Sequence, residues 1–365
     1  MDLKPMNSKL SVLIPTYNRP KYLRRALDYW DEIDVSLHIA DSSKNNINSS
    51  DVWGNYNHLP HLNFPQKIHH VLNQIETPFV ALCADDDFIS ETGLFESIKF
   101  LEDHKDYVSA QGRYIAFWYD DQNLIDYSPR YIAARNYDVS HKDTRERMKL
   151  SLSPYMHQFY AVHKTIILRE AFKVTEFIYS PVCWEMNISL ATSIFGNHKT
   201  LPIFYGAREA MKEKNIVGKL PNFEEWYYDH SSQDDLNKWC NAIANIYRKR
   251  ENSKIEEGSK AFDEAIFAYL HQSGSDNFFK NLRVNIKKFL PNMFLNLYRN
   301  IRYGGQGWPP KPNQARKLRK KVLTEKGYPC SEKSAEIEWG RMKAVIERHG
   351  TLDGMTYRNH SLNNE

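Results

Sequence analysis

LSVLIPTYNRP, Leu10 to Pro20, sets the reading of everything around it. Its first six residues are mostly apolar, include β-branched side chains and close on a proline, the pattern of a strand buried on both faces of a parallel sheet. TYNRP then makes a loop. KYLRRALDYW (Lys21 to Trp30) follows with Leu23, Leu27 and Trp30 at helical spacing, and VSLHIA (Val35 to Ala40) returns as a second strand. Strand, helix and strand in this order make a βαβ unit, so a right-handed crossover and a parallel sheet are expected.

After a loop rich in Ser and Asn (Ser42 to Ser50), a helix around Gln66 to Gln74 leads into FVALCA (Phe79 to Ala84). That run reads as another buried strand, and it ends in Asp85, Asp86 and Asp87. Ligands of open α/β sheets gather at the carboxyl ends of strands, where loops and helix N-termini converge. From Tyr107 to Val162, aromatic stretches such as RYIAFWY (Arg113 to Tyr119) and HQFYAVH (His157 to His163) predict antiparallel strands and a mixed sheet. Beyond about Asn222 the chain turns helical and charged, without an internal repeat. The expected fold is α/β, a mixed, mostly parallel sheet flanked by helices, with a C-terminal helical extension.

The composition fits a packed chain of this kind. With 365 residues, 41% hydrophobic and 13% aromatic, it can bury a sizeable core. Cys83, Cys183, Cys240 and Cys330 lie far apart without CxxC spacing, which argues against a disulfide scaffold or zinc site and for reduced thiols in a cytoplasmic protein. No run approaches the roughly 18 to 20 apolar residues of a spanning helix, and MDLKPMNSKLSVLIP lacks a signal-peptide core with a cleavage site, so neither secretion nor membrane spanning is expected.

Three features carry the chemical interest. Asp85, Asp86 and Asp87 would repel one another unless a cation neutralises them, and oxygen ligands of this kind suit Mg²⁺ or Mn²⁺ bridging to substrate phosphates. A solvated turn, or the acidic first turn of the helix begun by ISETGLFESIKFL, is the competing reading. Asp41, directly beyond the second strand, suits hydrogen bonds from a base or ribose, or else a simple Asx turn. Pro15 to Pro20 makes a rigid loop placed to flank a nucleotide.

In this order and spacing the pieces resemble the family 2 glycosyltransferases, whose pattern runs strand, P-T-Y-N-R, helix, strand ending in Asp, then an Asp-rich motif after a further strand. The resemblance spans roughly Ser8 to Gly206 and is strongest to about Glu91. It implies a GT-A (Rossmann-like) fold and inverting transfer from a nucleotide-sugar co-substrate to a glycan or lipid-linked hydroxyl, as in surface polysaccharide synthesis. Pro15, Thr16, Tyr17 and Arg19 would contact the nucleotide, Asp41 the base, and Asp85 or Asp86 the ribose, with Asp87 and Asp85 as candidate ligands of a divalent metal, Mn²⁺ or Mg²⁺. Ala84 stands where the commonest family form has an aspartate.

Lys67 matches a basic residue that many relatives place between the two acidic motifs, where it would screen a phosphate; a surface lysine is the plainer reading. The family's acceptor-side base begins a helix about a hundred residues after the metal motif, and Glu185, in SPVCWEMNISLATSIFG, lies at that distance from Asp87. The alternative for Glu185 is a paired helix acid. Arg208 ends the strand NHKTLPIFYGARE, as in relatives where a cation neutralises the leaving phosphate, or it is a salt-bridged surface residue. His157, His163 and His198 are read as polar groups of the core or the acceptor wall.

On this reading residues 1–218 form the catalytic domain, with a donor half over about 8–105 and an acceptor half over about 106–218, and residues 219–365 form a helical, basic extension. Within the extension, residues 276–325 carry twelve Lys and Arg against two acids. From Phe278 to Trp308 Lys and Arg are interleaved with Phe, Leu, Ile and Met, which suits either an amphipathic helix on an anionic membrane surface, met through residues 278–321, or a helix packed on the catalytic domain. Peripheral association with the inner face of the cytoplasmic membrane would then accompany a cytoplasmic location. No nucleic-acid-binding fold accompanies the basic run, so no nucleic acid is expected as a partner. The rival enzyme class, a sugar nucleotidyltransferase, uses a Gly- and basic-rich phosphate loop, which PTYNRP is not; a non-catalytic nucleotide-sugar-binding or membrane-adaptor module is the other alternative.

Overall fold

A computed structural model describes residues 6–47, 52–119, 125–129, 137–176, 178, 180, 183–210, 223–271, 333–350 and 352. The chain opens with β1 (Leu10–Thr16), α1 (Pro20–Trp30), β2 (Ser36–Asp41) and β3 (Asn55–His58). It continues through α2 (Phe64–Leu72), β4 (Phe79–Leu82), β5 (Phe88–Ile89), α3 (Glu91–Asp103) and β6 (Tyr107–Tyr119). Next come β7 (Ile125–Pro129), β8 (Asp138–Val139), α4 (Thr144–Leu152), β9 (Val162–Lys164), α5 (Thr165–Thr175), α6 (Trp184–Phe195) and β10 (Asn197–Glu209). The later helices are α7 (Phe223–Tyr228), α8 (Gln233–Glu251), α9 (255–271) and α10 (Lys333–His349).

One sheet runs β3-β2-β1-β4-β9-β6-β10-β5, with β7 on β6 and β8 on β10. Its first four strands are parallel, β9 joins β4 to β6 antiparallel, and β6 and β10 are parallel again. The sheet is therefore mixed and flanked by helices, as expected. Strand periodicity explains why both faces are covered. Val12, Ile14, Leu37, Ile39 and Ala81 enter one core with α1, α3 and α10, while Leu13, Ala40, Val80 and Leu82 enter the other with α2, α5, α6 and α8.

Local boundaries differ from the expected ones for identifiable reasons. α2 begins at Phe64 because Asn63 and Gln66 form a reciprocal capping box. β4 ends at Leu82, so the aspartates follow on a turn closed by Asp87 N–H to Ala84 O at 3.1 Å. The strand expected over His157 to His163 is reduced to β9 from Val162, because Ala161 N–H and the His163 ring both close on the Gln158 carbonyl in a packed turn.

Helices α7 to α9 share the second core with α5 and α6, where Trp239 donates its indole N–H to Asn187 at 2.7 Å. On the opposite face α10 holds α3 and α1: the Glu338 carboxylate accepts from Thr92 N–H and hydroxyl, and Arg348 pairs with Asp28 at 2.7 Å. Among the described residues no helix is long and apolar enough to cross a membrane, and Cys83, Cys183 and Cys240 are free thiols. The basic run 278–321, Pro181 and Cys330 lie outside the described residues.

Candidate active site

The register of the parallel strands brings the first motifs level. Thr16 pairs with Asp41, and Asp41 with His58, so β1, β2 and β3 end flush; β4 ends beside β1, where Cys83 N–H donates to Leu13 O. The loop after β1 turns through Asn18, whose φ of 54° lies in the left-handed region that Asn tolerates better than most residues. Asn18 N–H donates to Ser43 Oγ at 2.7 Å, tying this loop to the one after β2. Tyr17 stands 53% exposed, a flat ring facing solvent at the strand ends.

Asp41 is fully buried, and its two oxygens accept from Ser43 N–H and from the Tyr56 hydroxyl, each at 2.7 Å. The Ser43 bond is an Asx turn, one of the two readings the sequence offered for this residue. Lys67 is also buried, which removes the surface-lysine reading: its ammonium donates to Thr16 O at 2.6 Å and Ser42 Oγ at 3.0 Å. Desolvation brings its pKa down to about 8, with Asp41 and Asp85 opposing that shift.

The three aspartates have resident cations. Arg19 spans two of them, reaching Asp85 Oδ1 at 2.7 Å and Asp86 Oδ2 at 2.9 Å, while Thr16 Oγ1 donates to Asp85 Oδ2 at 2.7 Å. Asp87 takes Arg208 Nε at 3.1 Å and the Glu209 N–H at 2.9 Å. Burial raises the carboxyl pKa of Asp85, helped by the neighbouring Asp86 charge, and raises that of Asp87. Both shifts arise first from burial and stand against the opposing charge of the guanidinium groups beside them.

Behind the cluster lies an ion pair that the sequence reading missed. Arg25, on the inner face of α1, donates to Glu209 Oε2 at 2.6 Å and to Asp86 O at 3.1 Å, and both side chains are almost fully buried. Among the described residues its Nε and Nη1 have no hydrogen-bond partner, and the guanidinium rests against the rings of Tyr22 and Phe88. A helical wheel offers the available signal, since Tyr22, Ala26 and Tyr29 share its buried face. β10 delivers both Arg208 and Glu209 because Gly206 lets it lie against β5; a Cβ there would stand 2.2 Å from Phe88 O.

Glu185 sits in the first turn of α6, 40% exposed at its side chain, with Oε2 only 2.6 Å from His157 Nδ1. An ionised carboxylate only accepts, so the ring donates its Nδ1–H. Desolvation would raise the Glu185 pKa, yet His157 and then Arg208 overcome it and hold the carboxyl down at about 2. Arg208 therefore touches Asp87 on one side and acts on Glu185 on the other, with its guanidinium 4.8 Å from the Tyr160 ring centre. The wall beside Glu185 is aromatic: Trp184 stacks on Phe64 at 5.4 Å, and Tyr155 meets His157 edge-on at 5.1 Å. No spacing in the sequence pointed to His157 as the glutamate's partner.

The carboxylates have the hard-oxygen chemistry a divalent ion requires, but among the described residues no group of three or more His, Cys, Asp or Glu is arranged to hold one. Such an ion would fit only with one or two aspartates as protein ligands and substrate oxygens completing its shell.

No protein-family model and no curated protein matches the chain. Among solved structures, S. aureus TarS 1–349 is similar at 14% identity and a TM-score of 0.47, covering 96% of this chain and 97% of that one. The same protein in complex with UDP-GlcNAc is 13% identical, with a TM-score of 0.40 and coverage of 74% and 91%. A longer S. aureus TarS structure is 13% identical at a TM-score of 0.40, covering 73% of this chain, which spans 55% of that one.

Proposed function

We propose that this chain is an inverting, nucleotide-sugar-dependent glycosyltransferase of the GT-A type, acting on a hydroxyl of a glycan or lipid-linked acceptor. The observation that carries the reading is Arg208, which pairs with Asp87 in the acidic turn after β4 and whose charge also acts on the glutamate at the start of α6. A donor's diphosphate and an acceptor's hydroxyl have to meet between groups of these two kinds.

On this reading the nucleotide lies across the strand ends, its base against Tyr17 and the Asp41 loop, with Pro15 and Thr16 beneath and the ribose near Asp85 and Asp86. Lys67 holds the loops after β1 and β2 together from below and contributes charge. Arg19 and Arg208 are placed to trade carboxylate for phosphate oxygens, which both geometries of the guanidinium fork accept. Among the described residues Asp85, Asp86, Asp87 and Glu209 pair with Arg19, Arg25 and Arg208, with Lys67 and Asp41 nearby, and a diphosphate would bring further negative charge to this cluster of acids. A divalent ion at Asp87, with Asp85 as second candidate ligand, would supply compensating positive charge. Glu185 removes the acceptor proton as the acceptor oxygen attacks the anomeric carbon from the face opposite the departing phosphate. The basic run 278–321 is proposed to bring the enzyme to acceptors at an anionic bilayer.

The test is nucleotide release from a panel of sugar nucleotides, including UDP-GlcNAc, with and without Mn²⁺. Release from one donor that disappears in Asp87→Ala supports the reading. No release from any donor rejects it.

A further inference from the structure

We infer that the base end of the donor site is set from β3: Tyr56 and His58 are positioning residues that hold the loop after β2 in the form that reads a nucleobase, and Asp41 works through that loop as an internal tie. This rests on the glycosyltransferase reading and names the residues that would decide which base the chain takes.

Three observations carry it. Asp41 has no exposed surface, and each of its oxygens already accepts a 2.7 Å bond, Oδ1 from Ser43 N–H and Oδ2 from the Tyr56 hydroxyl. A base edge reaches a carboxylate only where that carboxylate is open to it, so in this arrangement Asp41 serves the loop. The Tyr56 hydroxyl is used twice: its proton goes to Asp41, and its oxygen accepts Ile47 N–H at 3.3 Å, which joins the end of β2 to the far part of the loop. Burial, and after it the bond to Asp41, pushes the Tyr56 pKa up to about 12, so the hydroxyl keeps the proton it donates. His58 stands two residues further along β3, on the same face as Tyr56 and level with Asp41 in the register. Its ring lies 2.8 Å from Ser43 O, and because a carbonyl only accepts, Nε2 donates.

The opposite side of the loop is tied as well. Asn18 N–H meets Ser43 Oγ at 2.7 Å, and the Lys67 ammonium meets Ser42 Oγ at 3.0 Å. With these side chains spent on holding the loop, its backbone is what remains to meet the edge of a base stacked on Tyr17. Recognition through backbone groups depends on the loop being ordered before the ligand arrives, since ordering it on binding costs affinity. The two ties from β3 therefore act on affinity and on base preference together, although neither side chain touches the base.

The experiment uses the full chain in Mn²⁺ and measures by calorimetry the affinity for UDP, GDP, ADP and CDP. Wild type should bind one of them best. Tyr56→Phe removes one hydroxyl, and His58→Ala leaves both bonds to Asp41 intact. Each should weaken the preferred nucleotide about tenfold, the scale of one hydrogen bond, and shrink its advantage over the next-best base towards one. A merely structural role would lower the unfolding midpoint and leave the base preference where it is. Weaker binding in Asp41→Asn beside full affinity and preference in His58→Ala overturns the inference, because the base then meets Asp41 directly. Full affinity in Tyr56→Phe also overturns it, as does equal wild-type affinity for all four nucleotides. Should Tyr56→Phe not fold, His58→Ala decides alone. Wild type that binds none of the four rejects the glycosyltransferase reading itself, and the inference with it.

Discussion

The cluster at the strand ends and the start of α6 are built differently. In the cluster, Thr16, Arg19, Asp41 and the aspartates lie at or just beyond parallel strands and, with Lys67 from α2, are cross-tied by bonds of 2.6 to 2.9 Å. At the start of α6, Glu185 has one side-chain hydrogen-bond partner, His157, 28 residues away, beside aromatic rings, and its other oxygen meets no hydrogen-bond partner among the described residues. A tied-down end suits holding a highly charged donor, and a sparsely tied carboxylate suits moving a proton. Arg208 and Glu209, adjacent on β10, both reach Asp87, and the charge of Arg208 also acts on Glu185.

The sharpest way to break this contrast is Glu185→Gln, which keeps shape and removes basicity. Turnover should fall by roughly 10² to 10⁴ with donor affinity nearly unchanged. Equal loss of donor affinity, read by calorimetry, would mean the acceptor end also binds the donor and the division of labour is wrong.

Next in size is Arg25→Met, which leaves Glu209 buried without its cation. Removing one partner of such a pair costs about 3 to 5 kcal/mol, measurable by denaturant unfolding at pH 8. The pH dependence has a definite sign. Burial, against the opposing charge of Arg25, raises the Glu209 carboxyl from 4.5 to about 7, so the folded chain keeps a proton that the unfolded chain releases. Stability from this group is therefore present below about pH 4.5 and lost as pH rises through about 7, and in Arg25→Met the loss extends to higher pH because the opposing cation is gone. A variant with unchanged stability at pH 8 would show that the acidic turn does not depend on this foundation.

Asp87→Ala should weaken nucleotide binding in Mn²⁺ by about ten- to a hundredfold, roughly 1.4 to 3 kcal/mol, while the cooperative unfolding transition persists. Unchanged affinity in calorimetry would move the metal and diphosphate elsewhere. The smallest effect concerns the basic run: retention on anionic vesicles should fall as salt is raised, because the attraction is screened over about 8 to 10 Å near physiological ionic strength. Equal retention on neutral vesicles would remove the electrostatic argument.

Legibility follows the same division. β1, α1, β2 and β4 can be read from the sequence because a strand buried on both faces is a short apolar run whatever surrounds it. HQFYAVH misleads because alternating apolar residues also arise in a turn packed into a core, and only three residues around its end pair in the sheet. Lys67 looks like a surface residue in FPQKIHHVLN, since nothing local announces that the loops after β1 and β2 close over it.

What the sequence by itself determined is where the acids stand: apolar runs of strand length end at Asp41 and just before Asp85, and the carboxyl ends of parallel strands share one edge of the sheet. Only the tertiary structure decided what neutralises them. Arg19 is near in sequence to nothing acidic, Arg25 faces inward from a helix, and Arg208 with Glu209 reaches Asp87 through the packing of β10 on β5 at Gly206. Charge pairing acts over a few ångströms in space, without regard to separation along the chain, so a pattern of residue types can place a carboxylate but cannot name its partner.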